Sequence, residues 1–173
     1  MSLSLTARSR LLITGPNGSG KSTLLAVLAG DLQPTAGAVT APDRLRTALL
    51  TQEPAERDGD VSVRDAYVLG VGEAVADSTP LSTFGLLAGR DLDRPVASLS
   101  VGQRRRLDLA IVLADPPDVL LLDEPTNHLS VLLATELEVA LPDYPGAVVV
   151  ASHDRWLRAG WTGETLELPE ESR

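Results

Sequence analysis

The sequence contains no cysteine, a single lysine, a single phenylalanine and no apolar run near the 18 residues of a membrane span. The absence of cysteine excludes disulfide bonds and thiolate metal sites, although it does not decide the compartment. The N-terminus lacks the basic-then-apolar pattern of a secretion signal. We therefore expect a cytoplasmic protein without direct membrane insertion.

Charge and length set further limits on the protein. The 173 residues are 43% apolar, which suffices for one sizeable core, in one domain or in a domain with a small inserted lobe. The formal net charge of −9 argues against a broad electrostatic contact with nucleic acid. Any nucleic-acid partner would therefore require a local basic patch or another segment of chain.

The stretch 11–25, LLITGPNGSGKSTLL, reads as a short apolar strand, a glycine-rich loop and the start of a helix. Residues 15–22 match the phosphate-binding pattern G-x-x-x-x-G-K-[ST] in the strand-to-helix context that this pattern requires. In such a loop, backbone N–H groups and the positive end of the helix converge on the β- and γ-phosphates. We therefore predict a phosphate site here, the alternative being a glycine-rich turn that matches by chance.

The only lysine of the chain, Lys21, lies inside this pattern, while all fourteen other basic residues are arginines. A compact ammonium fits a loop that closes around a phosphate, whereas a forked guanidinium is too bulky. The next residue, Ser22, is expected to place its hydroxyl on the Mg²⁺ that bridges the phosphates.

Two further apolar runs end in polar residues. Four aliphatic residues at 119–122 precede Asp123 and Glu124, and the run 147–151 precedes Ser152-His153-Asp154. Buried carboxylates are costly unless they meet a cation or polarise a water, so we predict a functional role for this acidic pair. The alternative is that the two acids only begin a turn. A functional role is also favoured for His153, whereas for His128 structural and functional roles are equally open.

The hydrophobic pattern predicts an α/β protein with a mostly parallel, doubly wound sheet. Strands are predicted at 3–5, 10–14, 38–40, 46–51, 119–122, 147–151 and 165–168, and helices over 20–29, 62–69, 81–87, 101–114 and 130–141. The β-type runs disappear between 60 and 97, which indicates a small helical lobe or, alternatively, a loosely ordered loop region. In such a sheet, the phosphate loop, Gln52, the acidic pair and His153 can converge in one crevice.

A second anion site is predicted at the start of the helix over 101–114. Ser100 occupies the N-cap position and Gln103 follows three residues later, which is the capping-box pattern. This arrangement exposes backbone N–H groups at a helix tip.

The order of these motifs, namely the P-loop, Gln52, LSVGQ, LLLDEP, NHL and SHD, resembles that of the ATP-binding-cassette (ABC) ATPases over about residues 3–154. The segments TNHL and SHDR resemble the ABC-F branch, whose members carry two cassettes in one chain and act on ribosomes. Within that branch, LSVGQRRRL with NHLS resembles the antibiotic-resistance (ribosome-protection) members.

The resemblance implies a role for each motif. The residues that would bind ATP are Gly15, Pro16, Asn17, Gly18, Ser19, Gly20, Lys21, Ser22, Thr23 and Gln52. The residues that would hold Mg²⁺ are Ser22, Gln52 and Asp123, the last through water. Glu124 would activate the attacking water and His153 would contact the γ-phosphate, with Lys21 completing the catalytic set. The signature residues Ser100, Val101, Gly102 and Gln103 would cap ATP bound to a partner cassette.

The resemblance also implies a P-loop NTPase fold, with a core over about 3–53 and 115–168 and a helical signature lobe over about 54–114. Two substitutions depart from the family pattern, because Val101 replaces a glycine of the signature and Ser130 replaces an aspartate. The aromatic residue that stacks on adenine normally precedes the strand at 3–5, whereas here no aromatic precedes Tyr67. We therefore expect one cassette with a truncated N-terminal β part, taken from a two-cassette protein.

The preferred interpretation is an ATP-hydrolysing ABC-F cassette that acts on the ribosome, for resistance or as a translation factor. Its ATP would be sandwiched against a second cassette, either in the same full-length chain or in a homodimer of isolated chains. One alternative is the nucleotide-binding subunit of a membrane transporter. Another is a cassette that binds ATP as a clamp and hydrolyses little.

Overall fold

The computed structural model describes residues 2–127, 137 and 141–170. The chain divides into two compact units, the first formed by Met1–Gln52 together with Pro117–Arg173 and the second by Glu53–Pro116. His128, Ser130 and most of the helix predicted over 130–141 lie outside the described residues. Of that segment the structure describes Leu137, which is helical and buried, and Leu141, which is buried and begins a 3₁₀ turn over Leu141–Asp143.

The first unit is built on a sheet of five strands in the order β2-β3-β4-β1-β5. The strands are β1 (Arg10–Thr14), β2 (Thr47–Leu50), β3 (Val119–Asp123), β4 (Ala147–Ala151) and β5 (Glu164–Glu167). All the pairings between these strands are parallel, so their carboxyl ends meet at one edge of the sheet. The predicted α/β class with a mostly parallel sheet is confirmed.

Burial on both faces explains why the central strands are continuous apolar runs. Every residue of β3 and β4 is buried, as expected for interior strands of a parallel sheet. Helix α1 (Lys21–Ala29) packs on β2, β3 and β4 and contributes the fully buried Leu25 to their core. It ends, as predicted, at Gly30, whose left-handed φ of 87° stops the helix.

The second unit is helical and has its own apolar core. It contains α2 (Val63–Val71), α3 (Glu73–Ser78) and α4 (Val101–Ala114), together with short 3₁₀ turns at Leu81–Phe84, Gly89–Asp91 and Val96–Ser98. The helices predicted to start beside Ser62 and Ser100 are confirmed, each with its serine as side-chain cap. The predicted helix over 81–87 is wrong, because the helical turn ends at Phe84 and Gly85 adopts a left-handed φ of 62°.

Two predicted strands are also wrong. The segments 3–5 and 38–40 do not pair with any strand among the described residues. Leu3 and Leu5 instead pack, half-buried, against the core of the first unit, while Val39 is 49% exposed. After β4 the chain forms a short helix, α5 (Arg155–Gly160), before it returns as β5. No helix in the described part of the chain is both long enough and apolar enough to cross a membrane.

Candidate functional site

A cavity of about 400 Å³ opens at the carboxyl edge of the sheet, within the first unit. It is bounded by the loop between β1 and α1 and by the residues that follow β2, β3 and β4. The lining residues are Asn17, Gly18, Gly20, Lys21, Ser22 and Thr23 from the loop and α1, and Gln52, Asp123, Glu124, Asn127 and His153 from the ends of the other strands. Residues that are far apart in sequence therefore share one cavity.

The loop after β1 requires glycine at specific positions. Gly15 has a φ of 149°, and a Cβ atom there would lie 2.6 Å from the Ser19 hydroxyl and 2.8 Å from the carbonyl of Leu168. Gly18 and Gly20 have φ angles of 82° and 90°, in the left-handed region that other residues rarely adopt. The glycines thus allow the backbone to curl at the start of α1, where N–H groups without helical partners are found.

The side chains of this loop are arranged as an anion site. Lys21 is only 8% exposed, and its Nζ atom donates hydrogen bonds to the carbonyl oxygens of Gly15 (2.9 Å) and Pro16 (3.0 Å). The hydroxyl of Ser19 is buried without a hydrogen-bond partner. A buried, unpaired hydroxyl is unfavourable, so this loop carries a local cost in stability.

Glu124 follows β3 in a strained backbone conformation. Its φ of 48° is the only positive φ of a non-glycine residue within the described ranges. Its amide donates to the carbonyl of Ala151 on the neighbouring strand (2.9 Å), and its carbonyl accepts from the amide of Asn127 (3.1 Å). Left-handed backbone at a non-glycine residue persists only where surrounding contacts hold it, and such strain is often found at active sites.

The carboxylate of Glu124 is buried and turns toward the end of β4. Its Oε1 atom lies 2.6 Å from Nδ1 of His153 and accepts from the amide of the same residue at 3.2 Å. Its Oε2 atom accepts from the hydroxyl of Ser152 at 3.1 Å. The imidazole of His153 is itself 60% exposed. The acid and the histidine predicted from sequence thus form a direct pair.

The donor set at the cavity suits a hard cation. Ser22, Gln52 and Asp123 offer a hydroxyl, an amide and a carboxylate to the same cavity, and Mg²⁺ prefers oxygen ligands of these kinds. The described residues include no group of three acidic or histidine side chains able to hold a metal by themselves. A magnesium ion here would therefore need oxygen ligands from a bound phosphate and from water as well.

The signature residues lie in the second unit, at the start of α4. Ser100 and Gln103 form both hydrogen bonds of the capping box, from the Gln103 amide to Ser100 Oγ (3.2 Å) and from the Ser100 amide to Gln103 Oε1 (3.0 Å). The other end of the Gln103 amide group, Nε2, donates to the buried carboxylate of Asp91 at 3.1 Å. Asp91 also accepts from Arg94 at 2.8 Å. Val101, between the two capping residues, is 42% exposed.

A second buried acid lies farther along α4. Burial raises the pKa of Asp108, while the guanidinium of Arg57 and the amide of Ala55 act in the opposite direction by bonding to its carboxylate. This ion pair fixes the first segment of the second unit against the signature helix.

Comparison with known proteins assigns the family. A family model described as ABC transporter matches residues 1–127. The chain belongs to this family. Among curated proteins, the tylosin resistance ATP-binding protein TlrC of Streptomyces fradiae is 48% identical over 169 residues, which are 97% of this chain and 30% of TlrC. The energy-dependent translational throttle protein EttA of Mycobacterium tuberculosis is 37% identical over 162 residues, which are 90% of this chain and 29% of EttA.

The name of a plant relative states that it belongs to the ABC-F branch. ABC transporter F family member 4 of Arabidopsis thaliana is 39% identical over 155 residues, which are 84% of this chain and 21% of that protein. The resemblance to the ABC-F branch is therefore confirmed. The chain spans less than a third of the length of each of these three relatives.

Solved structures confirm the fold. The dimeric structure of MJ0796, a bacterial ABC transporter cassette, matches with a TM-score of 0.78 at 23% identity, covering 96% of this chain and 84% of that one. The ATP-binding subunit of an ABC transporter matches with a TM-score of 0.81 at 18% identity, covering 94% and 75% respectively.

The structure brings most of the predicted site residues together, but in two separate groups. Gly15, Pro16 and Ser19 belong to the loop without lining the cavity, and the four signature residues lie in the second unit. Sequence reasoning missed Ser152 and Asp91. Ser152 stands in the predicted segment Ser152-His153-Asp154, which was a usable signal, whereas the sequence around Asp91 gives none.

Proposed function

We propose that the chain is an ATPase cassette that binds Mg-ATP at the carboxyl edge of its sheet. The observation that carries this proposal is the single cavity shared by the glycine-rich loop, Asp123, Glu124 and His153. The loop supplies N–H groups and the Lys21 ammonium to the phosphates. This combination suits phosphoryl transfer, which depends on charge neutralisation and an aligned water more than on covalent chemistry.

The residues around the γ-phosphate would have different roles. Ser22, Gln52 and Asp123 would hold Mg²⁺, which when bound neutralises charge on the phosphate oxygens. Glu124 orients the attacking water and accepts its proton, since its carboxylate lines the cavity and is held there in one orientation. His153 bonds to Glu124 through Nδ1, so its second ring nitrogen, Nε2, is the atom that can contact the γ-phosphate.

The test of this activity is Mg²⁺-dependent release of inorganic phosphate from ATP by the purified chain. Turnover that requires Mg²⁺ and falls when Glu124 is replaced supports the proposal. Binding of Mg-ATP without turnover by the parent chain favours a second candidate function, an ATP-driven clamp that hydrolyses little. The clamp is favoured by one observation, namely that Ser152 and His153 already engage both carboxylate oxygens of Glu124.

The signature at the start of α4 is proposed to complete the nucleotide site of another cassette. The partner would be a second cassette in the full-length protein or another copy of the isolated chain. The fold relative MJ0796 is described as a dimeric cassette, which supports this arrangement. Val101 adds an exposed side chain to the surface that would face the partner.

For the full-length protein, we propose a role on the ribosome, in antibiotic resistance or in translation, which would place it in the cytoplasm. The names of the relatives support this role, since one is a tylosin resistance protein and another a translational throttle. With a net charge of −9, this chain is not expected to supply the main contacts to ribosomal RNA.

Sedimentation of the full-length gene product tests the ribosomal role. With a non-hydrolysable ATP analogue present, the protein should pellet with ribosomes, because ATP-bound cassettes would be in their closed form. Recovery in the membrane fraction and absence from the ribosomal pellet would instead indicate the nucleotide-binding subunit of a transporter.

A further inference from the structure

Ser152 is a fully buried hydroxyl between two functional segments. Its side chain has no solvent exposure, and it takes part in two hydrogen bonds. The amide of Asp154 donates to Ser152 Oγ at 3.0 Å, and Ser152 Oγ lies 3.1 Å from Oε2 of Glu124. An amide can only donate, so the single proton of the hydroxyl is directed to the carboxylate. The serine therefore acts as a donor to Glu124 with a fixed orientation.

The backbone of Glu124 needs such a contact. Its φ of 48° is strained for a residue with a side chain, and strain of this kind persists only when surrounding bonds hold it. Glu124 and Ser152 follow the adjacent strands β3 and β4, where Asp123 is in register with Ala151. The hydroxyl thus links the ends of two neighbouring strands at the sheet edge where the cavity opens.

The two side chains that hold the carboxylate differ in mobility. The imidazole of His153 is 60% exposed, so the surrounding protein leaves it room to move. The hydroxyl of Ser152 is enclosed and is anchored by the Asp154 amide, so it stays in place. If the imidazole moves, the hydroxyl still holds Oε2, while Oε1 keeps its bond from the His153 amide and gains a lone pair that can accept a proton from water.

We propose that Ser152 is a positioning residue for the proposed ATPase reaction, acting through Glu124. It holds Oε2 of the carboxylate in one orientation, independently of the position of the His153 imidazole. This inference rests on the proposed function, because it concerns the orientation of the residue that activates water.

The direct test compares Ser152→Ala with Ser152→Thr in the full chain. Loss of one hydrogen bond to a charged group should lower kcat about tenfold to a hundredfold in Ser152→Ala. The Mg-ATP dissociation constant should change by less than about twofold, because the serine does not line the cavity. Ser152→Thr keeps the hydroxyl and should recover most of kcat. Thermal unfolding of each variant reports whether the fold is intact.

Both substitutions change a fully enclosed site, so a third variant is needed if Ser152→Ala does not fold. Ser152→Cys nearly preserves the volume and replaces the hydroxyl with a much weaker donor. It should show the same selective loss of kcat with an unchanged affinity for Mg-ATP.

A double-mutant cycle with Glu124→Gln separates positioning from a structural role. If Ser152 acts through the carboxylate, Ser152→Ala should cause no further loss of single-turnover rate in the Glu124→Gln background. An equal loss in both backgrounds, or a parental kcat in Ser152→Ala, would overturn the positioning role alone. If the parent chain itself shows no Mg²⁺-dependent turnover, the proposed function and this inference both fail.

Discussion

The predicted site residues of the two compact units differ in what they contact. In the first unit, the polar side chains at the sheet edge face a cavity, and the Ser19 hydroxyl beside it is buried without a partner. In the second unit, the signature side chains Ser100 and Gln103 satisfy each other, and Gln103 is held further by Asp91. Two atoms of α4, the Nε atoms of Arg104 and Arg106, are also buried without a partner, but the signature side chains themselves are held by contacts within their own unit. Substitutions in the glycine-rich loop should therefore weaken nucleotide binding, whereas substitutions at Glu124 or at the signature should affect turnover.

The largest effect is expected for Lys21→Ala, which removes the only lysine of the chain from the phosphate loop. Affinity for Mg-ATP should fall about a hundredfold or more, and Lys21→Arg should not rescue it because the guanidinium does not fit the closed loop. Isothermal calorimetry measures this directly. The matched control is Arg64→Ala, which removes an exposed cation from the second unit and should leave affinity unchanged. Parental affinity in Lys21→Ala would contradict the assignment of the loop.

Glu124→Gln should separate binding from turnover within the first unit. The amide keeps the shape of the side chain but loses its basicity, so turnover should fall about a hundredfold to ten-thousandfold while Mg-ATP still binds. Phosphate release and calorimetry on the same preparation provide both values. Glu167→Gln, on the exposed face of β5, is the control for loss of one negative charge. Hydrolysis at the parental rate would show that another group activates the water.

A smaller effect is expected for Asp91→Asn in the second unit. The substitution replaces one carboxylate oxygen by an NH₂ group, which cannot accept from Gln103 or Arg94, so the capping glutamine loses support. Turnover should fall about tenfold with unchanged affinity for Mg-ATP. Asp93→Asn is the control, because Asp93 is 82% exposed and pairs with Arg64 at the surface. A weaker affinity for Mg-ATP in Asp91→Asn would break the contrast between the two units.

The smallest effect concerns pH and the buried acid of α4. Because burial raises the pKa of Asp108 in the folded state, its contribution to stability is largest below its ordinary value of 3.8 and is lost as pH rises through the raised value. Asp108→Asn removes this dependence but also removes the ion pair with Arg57. The free energy of unfolding can be measured with urea from about pH 3.5 to 6.5. It should fall less steeply with rising pH in the variant than in the parent. Parallel profiles would contradict the direction of the pKa shift.

The sequence predicts the sheet and its edge well because the signals are local. Continuous apolar runs identify β3 and β4, and the glycine pattern identifies the phosphate loop. Parallel topology then brings the strand ends together without further information. The wrong strand predictions concern segments that would become strands only by pairing with another strand. Leu3 and Leu5 alternate as in a strand and do pack on the core, but alternation reports only which side faces inward and does not supply a pairing partner.

The missed residues depend on contacts between distant parts of the chain. Ser152 contacts Glu124, which lies 28 positions earlier in the sequence, and Asp91 contacts Gln103, which lies 12 positions later. Neither contact follows from periodicity or propensity, since both are set by how neighbouring strand ends or turns are placed. The failed helix over 81–87 has a local cause instead, because Gly85 adopts a positive φ that ends it.

We propose that the signature of one chain completes the nucleotide site of another. The most direct measurement is specific ATPase activity over about a hundredfold range of chain concentration, together with a mixture of Lys21→Ala and Ser100→Arg chains. Each variant keeps the half that the other lacks. Specific activity should rise with concentration, because two separate copies must meet at a cost in translational entropy, and the mixture should recover activity that neither variant shows alone. A flat concentration profile without complementation, alongside hydrolysis by dilute chain, would show that one chain completes its own site.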